Sequence, residues 1–268
     1  MTDAPFPVPD LRHPDPAGYD GIVVEDVSKA FGDKVVLDHC HLTIAKGETL
    51  VVIGRSGQGK SVLLKHIVRL LEPDGGRIWV EGQDVTHLAR RPLMELRKKF
   101  GMLFQGAALF DSMTICENIG LILREHTDWS DERIRARACE CLELVGLVGT
   151  EDKLPSALSG GMKKRAGLAR AIVMEPEYIL YDEPTTGLDP ITADAINDLI
   201  IKLQRELNVT SIVVTHDMPS AFKVGDHMAM LNDGQIVFHG SVREVRETDH
   251  TAVRQFIEGR AEGPLGVF

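Results

Sequence analysis

The absences in this sequence narrow the field first. No apolar stretch is long: Leu50 to Ile53 and Ile212 to Val214 are among the longest. Crossing a bilayer takes roughly 20 apolar residues, so the chain is not expected to span a membrane by itself. An excess of positive charge is also missing, since 40 Asp and Glu face 30 Lys and Arg for a formal net charge of -10. That balance disfavours wrapping nucleic acid or an anionic membrane. Cysteine is sparse, with 4 residues among 268 and no secretory apolar region behind Met1. This is no disulfide framework, and it fits a reducing, cytosolic compartment. What remains is 43% hydrophobic and 26% charged, enough to bury a core as one or two domains rather than stay disordered.

Residues 1–20 hold Pro5, Pro7, Pro9, Pro14 and Pro16 with little apolar periodicity, and are expected to be extended and poorly packed. Short apolar runs follow at Ile22 to Val24, Val35 to Leu37 and Arg77 to Val80, predicting a β-rich N-terminal portion. Leu64, Ile67, Val68 and Leu71 share one helical face after a glycine-rich segment, and Ile134, Ala138, Cys141, Leu142 and Val145 repeat the pattern. The second helix has Ser130 as N-cap, Asp131 and Glu132 in its first turn, and Gly146 as its stop. Thr49 to Ile53, Tyr178 to Tyr181 and Ser211 to Val214 are too continuously apolar for half-solvated strands and read as buried parallel strands. Each ends in polar residues, which in an open α/β sheet would converge on one site. A tight turn is expected over Leu231 to Gln235, and a last helix over Ser241 to Gly259.

Gly54-Arg55-Ser56-Gly57-Gln58-Gly59-Lys60-Ser61 fits G-x-x-x-x-G-K-[ST] between a predicted strand and a predicted helix, the context a phosphate-binding loop requires. Its glycines let backbone N–H groups turn inward as an anion nest, and the helix adds its positive end. Lys60 would neutralise the β- and γ-phosphates, and the Ser61 hydroxyl would be a ligand for Mg²⁺. Asp182 and Glu183 stand at a strand end, where Asp182 can hold Mg²⁺ and Glu183 can polarise the attacking water; alone they also fit a solvated strand end. His216 ends the third strand, where it can hydrogen-bond the γ-phosphate or merely pack and cap. Ser159-Gly160-Gly161 opens a helix and is a second potential anion site. His39-Cys40-His41 and the Cys139/Cys141 pair point their side chains in different directions, so no zinc is predicted.

Taken together, Leu158-Ser159-Gly160-Gly161-Met162, Gln105 after Gly101-Met102-Leu103-Phe104, and Gly187-Leu188-Asp189-Pro190 after the carboxylate pair resemble the ATP-binding subunit of ABC transporters over about residues 22–240. Met162 stands where that family usually has glutamine. The implied fold is α/β: a P-loop NTPase core with a mainly parallel sheet, an N-terminal antiparallel β portion and an inserted helical subdomain of about 106–160. The ATPase domain would be 21–260, with tails at 1–20 and 261–268. By the same resemblance Phe31 stacks on adenine, with a core phenylalanine as the alternative; Gly54, Arg55, Ser56, Gly57, Gln58, Gly59, Lys60, Ser61 and Val62 hold the nucleotide. Gln105 links Mg²⁺ and the water to the insert, and Ser159, Gly160 and Gly161 act in trans on ATP held by a second copy. Ser61, Gln105 and Asp182 would be the metal ligands, Glu183 and His216 the catalytic pair.

The stretches Gly54 to Lys65, Leu109-Phe110-Asp111-Ser112-Met113-Thr114, Gly160 to Arg165 and Tyr181 to Pro190 further resemble the ATPases of Mce-type phospholipid transporters, the maintenance-of-lipid-asymmetry group. That implies ATP and Mg²⁺ as cofactors and a peripheral location on the cytoplasmic face of the inner membrane. The implied partners are a second copy, a membrane permease, an MCE-domain lipid-binding protein and a small STAS-domain protein, with no nucleic acid. An ABC ATPase for another cargo is the first alternative and a soluble non-transport ABC protein the second. The basic residues Arg90, Arg91, Arg97, Lys98 and Lys99 read as a solvated helix face. The apolar tip Leu265 to Phe268 either frays or docks on a neighbour.

Overall fold

The computed structural model describes residues 15–266. In chain order they form β1 (Gly21–Phe31), β2 (Lys34–Ala45), β3 (Thr49–Ile53), α1 (Lys60–Ile67), β4 (Gly75–Val80), β5 (Gln83–Asp84), α2 (Arg90–Lys98), β6 (Phe100–Leu103), α3 (Ile115–His126) and α4 (Asp131–Leu144). There follow α5 (Gly160–Ile172), β7 (Tyr178–Asp182), α6 (Pro190–Leu207), β8 (Thr210–Thr215), α7 (Met218–Val224), β9 (His227–Asn232), β10 (Gln235–Ser241), α8 (Val242–Glu247) and α9 (Thr251–Glu258). The chain divides into two compact units, Met1–Leu93 with Val214–Phe268, and Met94–Val213. Most of the expected extended N-terminal tail lies outside the described residues; Pro16–Gly18 forms one 3-10 turn capped by Asp15.

In the first unit β2, β1, β4 and β5 make an antiparallel sheet in that order, the N-terminal β portion the sequence led us to expect. Cross-strand apolar pairs hold it: Ile22 pairs with Ile44 on one side and Val80 on the other, and all three are buried. Cys40 is fully buried while His39 reaches Asp26 on the other face, Nδ1 to Oδ1 2.6 Å, as a period of two requires. The same unit orders β10, β9 and β3. Here β3 and β9 run parallel, and every residue of β3 is buried. The β9–β10 hairpin turns on Asp233 (φ 48) and Gly234 (φ 81), both left-handed as a two-residue hairpin of this hand needs.

Two helices differ from the periodicity reading. The apolar face of α1 continues in sequence to Leu71, yet the helix ends at Ile67 because Arg69 turns left-handed (φ 52). Its buried guanidinium donates to the carbonyls of Val85 (3.3 Å) and Leu88 (3.1 Å), bonds a continuing helix would not reach. The single helix expected over Ser241 to Gly259 is two. Ser241 and Glu244 form a capping box that starts α8, and His250 Nδ1 accepts from Val253 N to start α9 (3.5 Å). Beyond α9, Leu265 is buried on its own chain, its N–H donating to Gln255 Oε1 at 2.7 Å; Val267 and Phe268 lie outside the described residues.

The second unit orders β8, β7 and β6. Parallel pairing sets Phe100 opposite Tyr178 and Leu103 opposite Tyr181, and all five residues of β7 are buried. Helix α4 starts at Ser130, whose Oγ accepts from Arg133 N, and Gly146 (φ 69) follows its end, as expected. Helix α3 starts on a capping box of Thr114 and Glu117. One turn in, fully buried Asn118 organises the segment ahead of it. Its Oδ1 accepts from Phe110 N (2.7 Å), and its Nδ2 donates to the carbonyls of Phe110 (3.0 Å), Met113 (3.1 Å) and Thr114 (2.9 Å). Asn118→Ala leaves those main-chain groups short of a partner, and is expected to lower unfolding stability by about 2–3 kcal/mol. A urea midpoint indistinguishable from that of the parent chain would contradict this.

Candidate nucleotide site

The segment Gly54 to Ser61 lies between β3 and α1, and its glycines are dictated by space. A Cβ at Gly54 would stand 2.4 Å from the Leu231 carbonyl oxygen, and one at Gly59 would stand 2.8 Å from that of Val36. Gly59 also adopts φ 99 as the residue that opens α1, a conformation side chains resist. Within the turn Lys60 is buried, and its Nζ donates to the carbonyls of Gly54 (2.7 Å) and Arg55 (3.0 Å). Thr114, Ser130, Ser159, Asp189, Ser241 and His250 each give a side-chain acceptor to the first turn of their helices, whereas Gly59 gives none to α1. Gly59 itself therefore brings no side-chain oxygen to the start of α1. A phosphate fits there, favoured by the helix dipole and the adjacent ammonium.

Two side chains of this loop are used elsewhere. Gln58 Oε1 accepts from Asp233 N at 2.7 Å, bracing the β9–β10 turn. Arg55 donates to the Gly266 carbonyl at 2.5 Å, tying the loop to the chain's last described residue. Ser61 and Val62 begin α1 and are part-exposed. Phe31 ends β1 with its ring 47% exposed and Lys29 Nζ 5.6 Å from the ring centroid. It is not a core phenylalanine, and its exposure leaves aromatic surface of the kind base stacking uses. His216 is exposed directly after β8, in the same unit.

In the second unit Asp182 closes β7 and Glu183 follows it. Both are buried, which denies the reading of a merely solvated strand end. Glu183 holds a left-handed backbone (φ 49), and its carboxylate accepts the Thr186 hydroxyl at 3.1 Å. Helix α5 begins with Ser159, whose Oγ accepts from Met162 N at a long 3.3 Å. Ser159 and Gly160 are exposed and Gly161 is buried. Asp189 caps α6, accepting from Ile191 N, Thr192 N and the Thr192 hydroxyl. The Thr192 hydroxyl bond, above the others, holds its carboxyl below the usual range.

Gln105 is exposed in the segment after β6, and α5 fixes that segment with two cations that sequence reading did not single out. Arg170 donates to the carbonyls of Ala107 (2.7 Å) and Ala108 (2.6 Å), both of which have positive φ. Lys164 is buried, and its Nζ donates to the carbonyls of Gln105 (2.5 Å) and Glu183 (3.0 Å). Desolvation lowers its pKa, opposed by the charges of Asp182 and Glu183. The structure thus brings the main-chain carbonyls of Gln105 and Glu183 onto one ammonium. Only the helical period, which points Lys164 to the same side of α5 as buried Gly161 and Leu168, hinted at its burial.

A phosphate loop between a buried strand and a helix, with a buried carboxylate pair closing another buried strand, defines a P-loop nucleotide hydrolase. The family model described as ABC transporter matches residues 37–186. The MlaF intermembrane phospholipid transport ATP-binding protein of Escherichia coli K12 is 40% identical over 242 residues, 90% of each chain. The probable ribonucleotide transport ATP-binding protein Mkl of Mycobacterium tuberculosis is 43% identical over 246 residues, 92% of this chain and 68% of that one. Among solved structures, the dimeric post-hydrolysis state of the ATP-binding cassette MJ0796 bound to ADP and Pi superposes with a TM-score of 0.75 at 33% identity, covering 83% of this chain and 99% of that one. This chain belongs to the ABC transporter family and is an ATP hydrolase that uses ATP with Mg²⁺.

Because Lys60 is the buried cation of the phosphate loop, Lys60→Ala is expected to weaken ATP binding at least about 100-fold, the scale of a lost charge-assisted contact of roughly 3 kcal/mol. Equilibrium titration with a fluorescent ATP analogue measures it; affinity within a few-fold of the parent would remove Lys60 from the site.

Proposed function

We propose that this chain powers phospholipid transport between membranes of a cell envelope, hydrolysing ATP at sites shared by two copies and driving a membrane permease. The observation that carries the cargo is the 40% identity to MlaF across nine-tenths of both chains. No helix among the described residues is long and apolar enough to cross a membrane, so transport calls for a separate permease, and we assign the chain a peripheral position on the cytoplasmic face of the inner membrane. An MCE-domain lipid carrier and a small STAS-domain protein complete the proposed assembly. Dimerisation is supported by the dimeric relatives in the solved structures, and by the exposure of Ser159 and Gly160 at the tip of α5.

In this reading the amides of Gly57, Gly59 and Lys60 and the Lys60 ammonium hold the phosphates, Phe31 stacks on adenine, and Ser61, Asp182 and Gln105 hold Mg²⁺. When bound, that ion neutralises charge on the β- and γ-phosphate oxygens. Glu183 accepts a proton from water as the water oxygen bonds the γ-phosphorus; the bond to the β–γ bridging oxygen breaks, and ADP leaves with its electron pair. Thr186 orients the Glu183 carboxylate for that transfer, and His216 donates to the γ-phosphate. Ser159, Gly160 and Gly161 close the site from the second copy. For the permease we propose a cavity of 510 Å³ in the second unit, lined by Phe100, Phe104, Phe110, Leu121, Ile122 and Met174. Its wall at Phe104 is one residue from Gln105, so a load there reaches the nucleotide site.

The name of Mkl favours a second reading, ribonucleotide transport. The assay is purification of the complete membrane assembly and mass spectrometry of its bound small molecules. Phospholipid in stoichiometric amount is expected, and ribonucleotide beyond the ATP site with no lipid would replace this reading by the second. Glu183→Gln is expected to keep ATP affinity while lowering turnover by about two to four orders of magnitude, the span of general-base catalysis. Near-normal turnover would dismiss Glu183 as the base.

A further inference from the structure

We infer that Lys164 is a positioning residue for ATP hydrolysis, acting by setting the main chain of Gln105 and Glu183 from a single buried ammonium. The inference rests on the proposed roles of those two residues and deepens them. Lys164 occupies the second turn of α5, is 5% exposed, and spends its donors on main-chain oxygen, 2.5 Å to Gln105 and 3.0 Å to Glu183.

Neither bond touches a side chain that would meet substrate, so the effect is geometric. The Glu183 carbonyl belongs to a residue in the left-handed region, where a non-glycine backbone persists only if its surroundings hold it. Donors to that carbonyl come from Lys164 (3.0 Å) and from the Thr186 N–H (3.3 Å). Rotation of that peptide would swing the Glu183 carboxylate away from the Thr186 hydroxyl it now accepts. Gln105 is exposed and begins a segment with two further residues at positive φ, Ala107 and Ala108. Arg170 holds the far end of that segment and Lys164 the near end. One ammonium therefore sets the spacing between the residue assigned to the water and the one assigned to the metal.

The geometry also says which replacements should work. Methionine matches the length and packs without donors, which removes both bonds while keeping the volume. Arginine keeps several N–H donors and a charge that survives burial. If position matters, the first should slow the chemical step and the second should restore much of it.

The experiment measures ATP turnover and nucleotide affinity for the full chain with Lys164→Met, Lys164→Arg, Glu183→Gln and the Lys164→Met/Glu183→Gln pair. Lys164→Met is expected to lower kcat by about 10- to 100-fold, the cost of a displacement of about 1 Å at a reacting group, with affinity within about 3-fold. Lys164→Arg should recover turnover to within about 5-fold of the parent, and in the Glu183→Gln background Lys164→Met should cost less than about 2-fold more, because coupled residues fail to add. Normal kcat in Lys164→Met, or a loss that multiplies in full with that of Glu183→Gln, would overturn the inference. Unimpaired turnover in Glu183→Gln alone would instead overturn the assignment of the base. Should Lys164→Met not fold, Lys164→Leu, which is also apolar and also lacks a donor, enters the same cycle and is read by the same two outcomes.

Discussion

A lysine ammonium taken out of water has to be met by oxygen, since a buried and unpaired cation costs several kcal/mol. This protein meets that demand twice in the same way. Lys60 and Lys164 are each 5% exposed, and each reaches the carbonyls of two loop residues. A carbonyl belongs to the main chain, so satisfying the charge also fixes the path of the backbone. At Lys60 that path is the phosphate loop; at Lys164 it is the approach to Gln105 and to Glu183. A carboxylate partner would have met the charge equally well without ordering a loop.

Helix α5 gathers several of these constraints onto one rigid element. Its N-terminus carries Ser159, Gly160 and Gly161, its second turn Lys164 and its last turn Arg170. Nearly continuous burial of Gly161, Lys164, Ala166, Gly167, Leu168, Ala169, Ala171 and Ile172 makes it a core helix rather than a surface one. Any displacement of α5 is therefore felt at its exposed tip and along the segment after β6 together. The two ends are coupled in this way because packed helices shift as bodies rather than bend.

Much of the site was legible because its chemistry depends on local order. Gly54 to Ser61 declare themselves by spacing, and the crowding at Gly54 and Gly59 shows why no other residue fits. Strands β3, β7 and β8 were readable from continuous apolar character, which burial on both faces explains. The end of α1 was not readable, since Arg69 leaves the helix for carbonyls of Val85 and Leu88, 16 and 19 residues away. The split between α8 and α9 was missed for a different reason: histidine is an uncommon cap, and His250 gave no usual stop signal.

The sequence by itself determined the class of chemistry, through a phosphate loop, a carboxylate pair and a serine-glycine helix start, because those motifs work by adjacency along the chain. Only the tertiary structure decided the supports. Lys164 and Glu183 are 19 residues apart, and Lys164 and Gln105 are 59 apart; no local pattern encodes a bond across such separations. A charged residue on a helix reads as solvated until packing shows that it points inward. The carbonyls it then finds are carried by every residue alike, which is why sequence is silent about them.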